Sequence, residues 1–251
     1  MIGILLGDPS PVRCGRSVLW SPPRRAMEFD KLANSYLGEA AERYNDARTR
    51  SRKWANEQAR IAEIIASLAP GSSIVDVPVG TGRFLELYVR QGLRAVGLDI
   101  SDDMLAEARK VASALGGEVE LRRGDIRAID AGDRAFDTVL CVRFLNWIGI
   151  ADVRVVVREL ARVARRDLVL AIRHYTPVSE VALSRHDVVR FARQLVWRAR
   201  RRIRKRRLVM HEKRDIDQLF RDLELDVLSA TTIERRDDGT DYVIYHARRT
   251  R

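Results

Sequence analysis

Residues Ile74–Gly82 read IVDVPVGTG. Ile74–Val77 is a short apolar run of the kind that forms a strand buried on both faces. It stops at Pro78 and passes into a turn carrying Gly80 and Gly82. A helix is predicted from about Arg83 to Gln91, with Gly92 suited to its C-terminal cap. A strand, a glycine-bearing turn and a helix in this order open an α/β fold, in which ligands gather outside the carboxyl ends of the strands.

The rhythm continues outward. Upstream, residues 39–69 place Tyr44, Ala47, Trp54, Ile61, Ile64, Ile65 and Leu68 at helical spacing, and Pro70-Gly71 ends the run. Downstream, Ala95–Leu98 forms a second strand ending in Asp99. Ser101 follows as an N-cap, with Asp102 and Asp103 in the first turn of a helix that reaches about Leu115 before Gly116-Gly117. Glu118–Arg122, Phe136–Val142 and Asp167–Ile172 read as strands three to five, with a helix at Ala151–Ala164 before the fifth. Asp215–Leu223 reads as a helix. Leu225–Ile233 and Tyr242–Ala247 read as strands joined at Asp237-Asp238-Gly239-Thr240, a hairpin signal. The expected fold is α/β, a doubly wound, mostly parallel seven-stranded sheet with its last strand antiparallel. N-terminal helices precede it and a basic helix is inserted after strand five.

The glycine turn implies a ligand that approaches backbone closely at a helix start. Asp99 stands 23 residues after Asp76, and an acid about 20 residues on can hydrogen-bond a ribose hydroxyl. An adenosine-containing ligand fits both features. The dinucleotide fingerprint G-x-G-x-x-G, begun at Gly80, fails at Leu85, where a glycine would let the helix pack closely under a pyrophosphate. A ligand without a pyrophosphate tolerates that loss.

At this point a resemblance enters. IVDVPVGTGRF, VGLDISDDMLAEAR, GDI and FDTVLCVRFLNWI resemble the successive motifs of the class I, Rossmann-like S-adenosylmethionine (SAM)-dependent methyltransferases, over roughly Ser72 to Tyr175. The family's first motif is acid-x-G-x-G-x-G. Asp76, Gly80 and Gly82 match it, and Pro78 replaces the first glycine. The resemblance implies SAM as cofactor. It places Gly80, Thr81 and Gly82 at the methionine moiety, with Asp76 and Pro78 in the same turn, and Asp99 at the ribose hydroxyls. It places Ile100 and Met104 near adenine and ribose, Asp125 at the adenine amino group with Ile126 beside it, and Cys141, Val142 and Arg143 below the sulfonium. Tyr44 and Arg48, in YNDAR, resemble an upstream segment that closes over the cofactor. Met104 equally suits plain core, and Cys141 a small buried apolar residue.

The reaction expected is transfer of the methyl group to an O or N atom of a small molecule or lipid-linked acceptor. A base is needed only where the acceptor must lose a proton. His174 and Tyr175, at the end of strand five, are the catalytic candidates, with packing or capping as the plain alternative for His174. Asn146 and Trp147 are candidates for the substrate wall. No Cys/His cluster has metal-ligand spacing, so no metal is expected. The N-P-P-Y-type tetrad of base-amino methyltransferases is replaced by VRFLNW, which points away from that subclass.

Bulk properties bound the rest. The chain has 251 residues and 46% hydrophobic content, enough for one α/β domain with additions. Cys14 and Cys141 are too few for a disulfide framework and suit a reducing, cytoplasmic setting. Residues 1–26 hold four of the seven prolines and no periodicity, so they are expected to form a loose arm without a signal peptide. Met27 is an alternative start, and 27–251 the methyltransferase domain. The net charge is +11, yet Arg185–Arg207 alone carries eleven cations against Asp187. Val188, Val189, Phe191, Ala192, Leu195, Val196, Ala199 and Ile203 trace an apolar stripe through it, within a basic insertion at about 178–212. Three readings stay open: a solvated cover of the active site, a peripheral contact with an anionic membrane surface at the inner face, or RNA or another polyanion as partner.

Overall fold

A computed structural model describes residues 51–177, 208–236 and 239–250. The arm at 1–26, Tyr44 and Arg48, the start of the helix expected over 39–69, and nearly all of the basic insertion lie outside the described residues. In chain order the elements are α1 (Arg52–Ala66), β1 (Ser73–Asp76), α2 (Leu85–Arg90), β2 (Arg94–Asp99), α3 (Asp102–Leu115), β3 (Val119–Arg123) and β4 (Phe136–Cys141). A single 3-10 turn (Leu145–Trp147) follows, then α4 (Ile150–Val163), β5 (Ala164–Tyr175), β6 (His211–Glu212), α5 (Lys213–Asp222), β7 (Leu225–Arg235) and β8 (Thr240–Arg249).

The strands form one sheet in the order β3-β2-β1-β4-β5-β8-β7, with β6 paired to β5. All pairings among β1 to β5 are parallel, and β8 runs antiparallel to both of its neighbours, β5 and β7. The expected seven-strand topology is therefore present, with one addition. β6 is two residues long and pairs His211 and Glu212 with His174 and Tyr175. β4 reaches only Leu170 on β5, so β6 occupies the part of that edge beyond the end of β4. A two-residue strand carries no periodicity, which is why the sequence does not announce it.

Alternation along the strands divides the core. Ile74 faces α1, α2 and α3 through Ile61, Ile64, Leu85, Tyr88 and Leu105. Val75 belongs to the cluster on the other face, which takes in Val153, Val156 and Leu160 of α4 and Ile216 and Phe220 of α5. Apolar residues on both sides of the same strand force helices onto both faces, because neither can be left to water. Local signals set the helix ends. The Ser101 side chain accepts from the Met104 N–H, and α3 stops at Gly116 with φ 67°. One boundary differs from expectation: β5 begins at Ala164, directly after α4, three residues earlier than Asp167. Exposed Arg165 and Arg166 break the apolar pattern there, and pairing of Ala164 with Phe136 supplies the strand instead. Among the described residues, no helix is long and apolar enough to cross a membrane.

Candidate functional site

At the carboxyl ends of β1, β2 and β4 lies a cleft enclosing about 1110 Å³, part of it open to solvent. Its floor is the glycine turn. Val77 N–H donates to the Leu140 carbonyl at 3.0 Å and Val79 N–H to the Leu98 carbonyl at 2.8 Å, so the turn is stitched to both neighbouring strands. Gly80 and Gly82 adopt φ 57° and 79°, and the Val77–Pro78 peptide is cis. Pro78, Gly80 and Thr81 line the cleft. Gly82 does not. A Cβ on Gly82 would lie 3.2 Å from the Ala108 backbone and 2.8 Å from Leu85 Cδ1, so its lack of a side chain allows close packing of the turn on α3. Leu85, which breaks the dinucleotide fingerprint, is fully buried in that same contact.

Asp99 closes one side. Its Oδ2 accepts the Gly80 N–H and its Oδ1 the Ser101 N–H, both at 2.9 Å. The Ile100 N–H adds a third backbone donor, and with about four acceptor sites the carboxylate retains capacity for a further donor. Burial pushes this carboxyl upward, against the backbone donors that favour its charge. Asp76 also lines the cleft and accepts the Tyr88 hydroxyl at 2.8 Å. Burial first, and then the neighbouring Asp99 charge, push it up to about 7 despite that hydrogen bond. Ile100, Met104 and Ile126 give this end apolar walls. Asp125 lines it too, but both of its oxygens are engaged by Arg127. Burial opposes its charge, and the Arg127 side chain and N–H outweigh burial, leaving the carboxyl below its ordinary range.

The other end is built from β4 and α1. Val142, Arg143, Phe144 and Trp147 line it, together with Trp54, Arg83 and Phe84. Arg143 sits at φ 63°, a conformation that costs a non-glycine residue energy and recurs at functional sites. Its carbonyl accepts the Trp147 indole N–H at 3.0 Å. Its guanidinium donates through Nε and Nη2 to the carboxylate of Glu57, which is 0% exposed. Arg83 Nη1 lies 3.2 Å from the same carboxylate, and the Tyr242 hydroxyl donates to it at 3.0 Å. Both guanidiniums stack on Trp54, at 3.4 Å for Arg83 and 4.5 Å for Arg143.

Other expected residues fall elsewhere. Cys141 is fully buried in the core below the cleft, where burial pushes its thiol up. His174 does not line the cleft. Its ring is buried, its Nε2 shares a 2.7 Å hydrogen bond with the Tyr245 hydroxyl, and burial pushes it down to about 4. The Tyr175 hydroxyl donates to Glu212 across the β5–β6 pair at 2.9 Å. Asn146 donates to the carbonyls of Arg173 and Val209 and accepts the Arg173 N–H, so it ties the 3-10 turn to β5 and to the strand entering β6. These side chains hold the end of the sheet rather than face the cleft. Conversely, Trp54, Glu57, Arg83, Phe84 and Phe144 are not among the site residues expected from sequence, where Trp54 stands only on the helical stripe. Glu57 had a detectable signal: it stands four residues before Ile61 on the apolar stripe of α1, a position a carboxylate occupies only when paired.

The cleft suits SAM. It has a carboxylate with spare acceptor capacity beside a glycine turn, apolar walls at that end, and polar and aromatic groups at the other. Comparison with known proteins agrees. The methyltransferase domain family matches residues 74–167. The chain is 30% identical over 175 residues to the phosphatidylethanolamine N-methyltransferase of Cereibacter sphaeroides, covering 68% of this chain and 82% of that one. It is 31% identical over 138 residues to the dTDP-4-amino-2,3,4,6-tetradeoxy-D-glucose N,N-dimethyltransferase of Saccharopolyspora spinosa, covering 53% of each. In fold it is similar to magnesium protoporphyrin IX methyltransferase from Synechocystis PCC 6803 crystallised with bound SAH (S-adenosylhomocysteine), with a TM-score of 0.69, 17% identity, and coverage of 88% of this chain and 100% of that one. The glycine turn, the strand-end carboxylate and these similarities converge: the chain belongs to the class I SAM-dependent methyltransferases.

Proposed function

We propose that the protein methylates a nitrogen of a small-molecule or lipid-linked acceptor. SAM, when bound, supplies a methyl group on a sulfonium, displaced in line by the acceptor's lone pair. Asp99 would hold the ribose hydroxyls with its spare acceptor capacity. Ile100, Met104 and Ile126 would flank the adenine. Gly80 and Thr81 would face the methionine moiety. Val142, Arg143, Phe144 and Trp147 would form the wall along which the acceptor is aligned, and alignment accounts for much of the acceleration in such a transfer.

The observation that carries nitrogen over oxygen is that both curated relatives described above are named for N-methylation. A neutral amine attacks with its own lone pair, and where a proton must leave, Asp76, which lines the cleft with its carboxyl pushed up to about 7, is the group suited to take it. His174, buried against Tyr245, is not assigned that role.

Incubation with methyl-labelled SAM and a panel of primary-amine acceptors, including phosphatidylethanolamine vesicles and amino-sugar nucleotides, alongside phenolic acceptors tests the proposal. Label is expected in an amine product. Label found only in phenol ethers would sink it. The arginine-rich stretch Arg185–Arg207 lies outside the described residues, and the same vesicles with and without anionic lipid test its contact with a membrane surface.

A further inference from the structure

The nucleobase end of the cleft offers a carboxylate that the chain has already filled. Asp99 has acceptor capacity for a ribose, and the apolar side chains of Ile100, Met104 and Ile126 mark where a base lies beyond it. Asp125 lines the same wall between Gly124 and Ile126, so it is the charged acceptor placed to meet a purine's exocyclic amino group. Arg127 occupies it. Asp125 Oδ1 accepts the Arg127 backbone N–H at 2.8 Å and its Nε at 3.0 Å, while Oδ2 accepts the same Nε at 3.0 Å and Nη2. A carboxylate has about four acceptor sites, and these contacts use them. The contrast is with Asp99, whose donors are backbone N–H groups of Gly80, Ser101 and Ile100 and leave room for another.

The chain around the pair keeps it in place. Asp125 and Arg127 share one turn, closed by the Ala128 N–H donating to the Asp125 carbonyl at 3.0 Å. The next residues are pinned to α4. Ile129 N–H donates to Glu159 at 2.7 Å, and Arg162 donates to the carbonyls of Ile129 and Ala131 at 3.0 and 2.8 Å. The two side chains are 32% and 29% exposed, so water screens part of their attraction. The planar fork still holds the advantage over a ligand's amino group. Its hydrogen bonds are charge-assisted, about twice as strong as those of a neutral donor, and a fork between near neighbours in a fixed turn loses little freedom in forming them.

We infer that Arg127 is a specificity-determining residue: by filling the Asp125 carboxylate it withdraws the acceptor for the purine amino group, and the base is selected by its apolar fit against Ile100, Met104 and Ile126. This rests on the reading of the cleft as a SAM site and concerns how the cofactor's base is read there. A site that hydrogen-bonds a ligand group rejects the analogue lacking it, because its own polar group is then left unpaired. Here the carboxylate is paired whether or not the amino group is present. At the partly exposed rim the amino group keeps its water instead.

The test compares S-adenosylhomocysteine with its analogue carrying hydrogen in place of the exocyclic amino group. Both are titrated by calorimetry into the wild type, Arg127→Met and Asp125→Asn. Arg127→Met keeps most of the apolar stem and releases the carboxylate from the fork. Asp125→Asn keeps an oxygen for the Arg127 backbone N–H but removes the charge. The wild type is expected to bind the two nucleosides within about fivefold of each other, the range of an ordinary neutral hydrogen bond. Arg127→Met is expected to raise the preference for S-adenosylhomocysteine by about tenfold or more, as the freed carboxylate takes the amino group. Asp125→Asn should leave the wild-type ratio unchanged. A wild-type preference above about fivefold overturns the inference. So does a lower ratio in Asp125→Asn, or a folded Arg127→Met whose ratio matches the wild type. Should one variant fail to fold by circular dichroism, the wild-type ratio and the other variant carry the test. A wild type that binds neither nucleoside overturns the SAM-site reading instead.

Discussion

The two ends of the cleft are built by different means. At one end Asp99 is held by backbone N–H groups from Gly80 and Ser101, 19 and 2 residues away. At the other, Arg143 is held by a carboxylate 86 residues away, itself bonded to Tyr242 across 185 residues. The first end is specified by a continuous stretch of chain and keeps its shape through the turn and the helix start. The second exists only once α1, β4 and β8 have come together. Its groups are ion pairs between side chains, whose removal leaves charge stranded.

That contrast is tested hardest at Glu57. Removing one member of a buried ion cluster typically costs about 3–5 kcal/mol, because the partner charge is left without compensation. Glu57→Ala is therefore expected to lower unfolding free energy by about that amount in urea melts. A loss below about 1 kcal/mol would show that the Arg143 end is held by packing alone and that its ion pairs are incidental.

The floor of the cleft and the end of β5 also carry buried groups with opposite responses to pH. Asp76, on the cofactor side, is pushed up to about 7 from an ordinary 3.8. The folded state holds its proton more tightly, so its contribution to stability is complete below pH 3.8 and lost as pH rises through about 7. His174, on the β5 side, is pushed down to about 4 from 6.5. The folded state excludes its proton, so stability is complete above pH 6.5 and lost as pH falls through about 4. Each effect is worth roughly 3–4 kcal/mol, and in the wild type they oppose one another over pH 4–6.5. Single variants should unmask them. His174→Phe should leave stability falling as pH rises, and Asp76→Asn should leave it rising. Identical profiles for the two variants would contradict the assignment.

Asp99 tests the locally built end. Asp99→Ala removes a charged acceptor from three backbone N–H groups and from any ribose hydroxyls. Hydrogen bonds to charged groups contribute about 1.5–3 kcal/mol each, so S-adenosylhomocysteine affinity should fall about 100-fold by calorimetry. A fall of less than about fivefold would remove Asp99 from the cofactor-binding role. This residue was legible in sequence because its position follows from chain order: a strand end at fixed spacing from a glycine turn. The same holds for Asp76, Pro78, Gly80, Thr81, Ile100 and Met104, all on the cleft wall, and for the topology, since alternation and glycine stops encode it locally. His174 and Asn146 were misplaced by the same logic. Chain order puts them at strand ends, but His174 is taken up by Tyr245 on β8 and Asn146 by the backbone of Arg173 and Val209, partners far away in sequence. Glu57 and Arg83 escaped because their partners are far away in sequence.

The smallest expected effect separates two glycines that look alike in the motif. Gly80 and Gly82 both have positive φ, at 57° and 79°, so alanine at either incurs the left-handed penalty of roughly 1–2 kcal/mol. Around Gly80 nothing lies within 4 Å of an added Cβ, whereas at Gly82 the added atom meets the Ala108 backbone at 3.2 Å and Leu85 Cδ1 at 2.8 Å. The Leu85 contact can be relieved by a rotamer change. The backbone contact cannot, and α3 would have to move away from the turn. Gly82→Ala should therefore destabilise by about 1 kcal/mol more than Gly80→Ala, beyond their shared conformational cost. Gly80→Ala should act instead on nucleoside binding, because Gly80 lines the cleft and donates to Asp99. Thermal melts and calorimetry on the pair measure the two effects separately. Equal destabilisation with equal loss of binding would mean that the motif's two glycines serve one purpose, and that the close approach of α3 to the turn contributes nothing of its own.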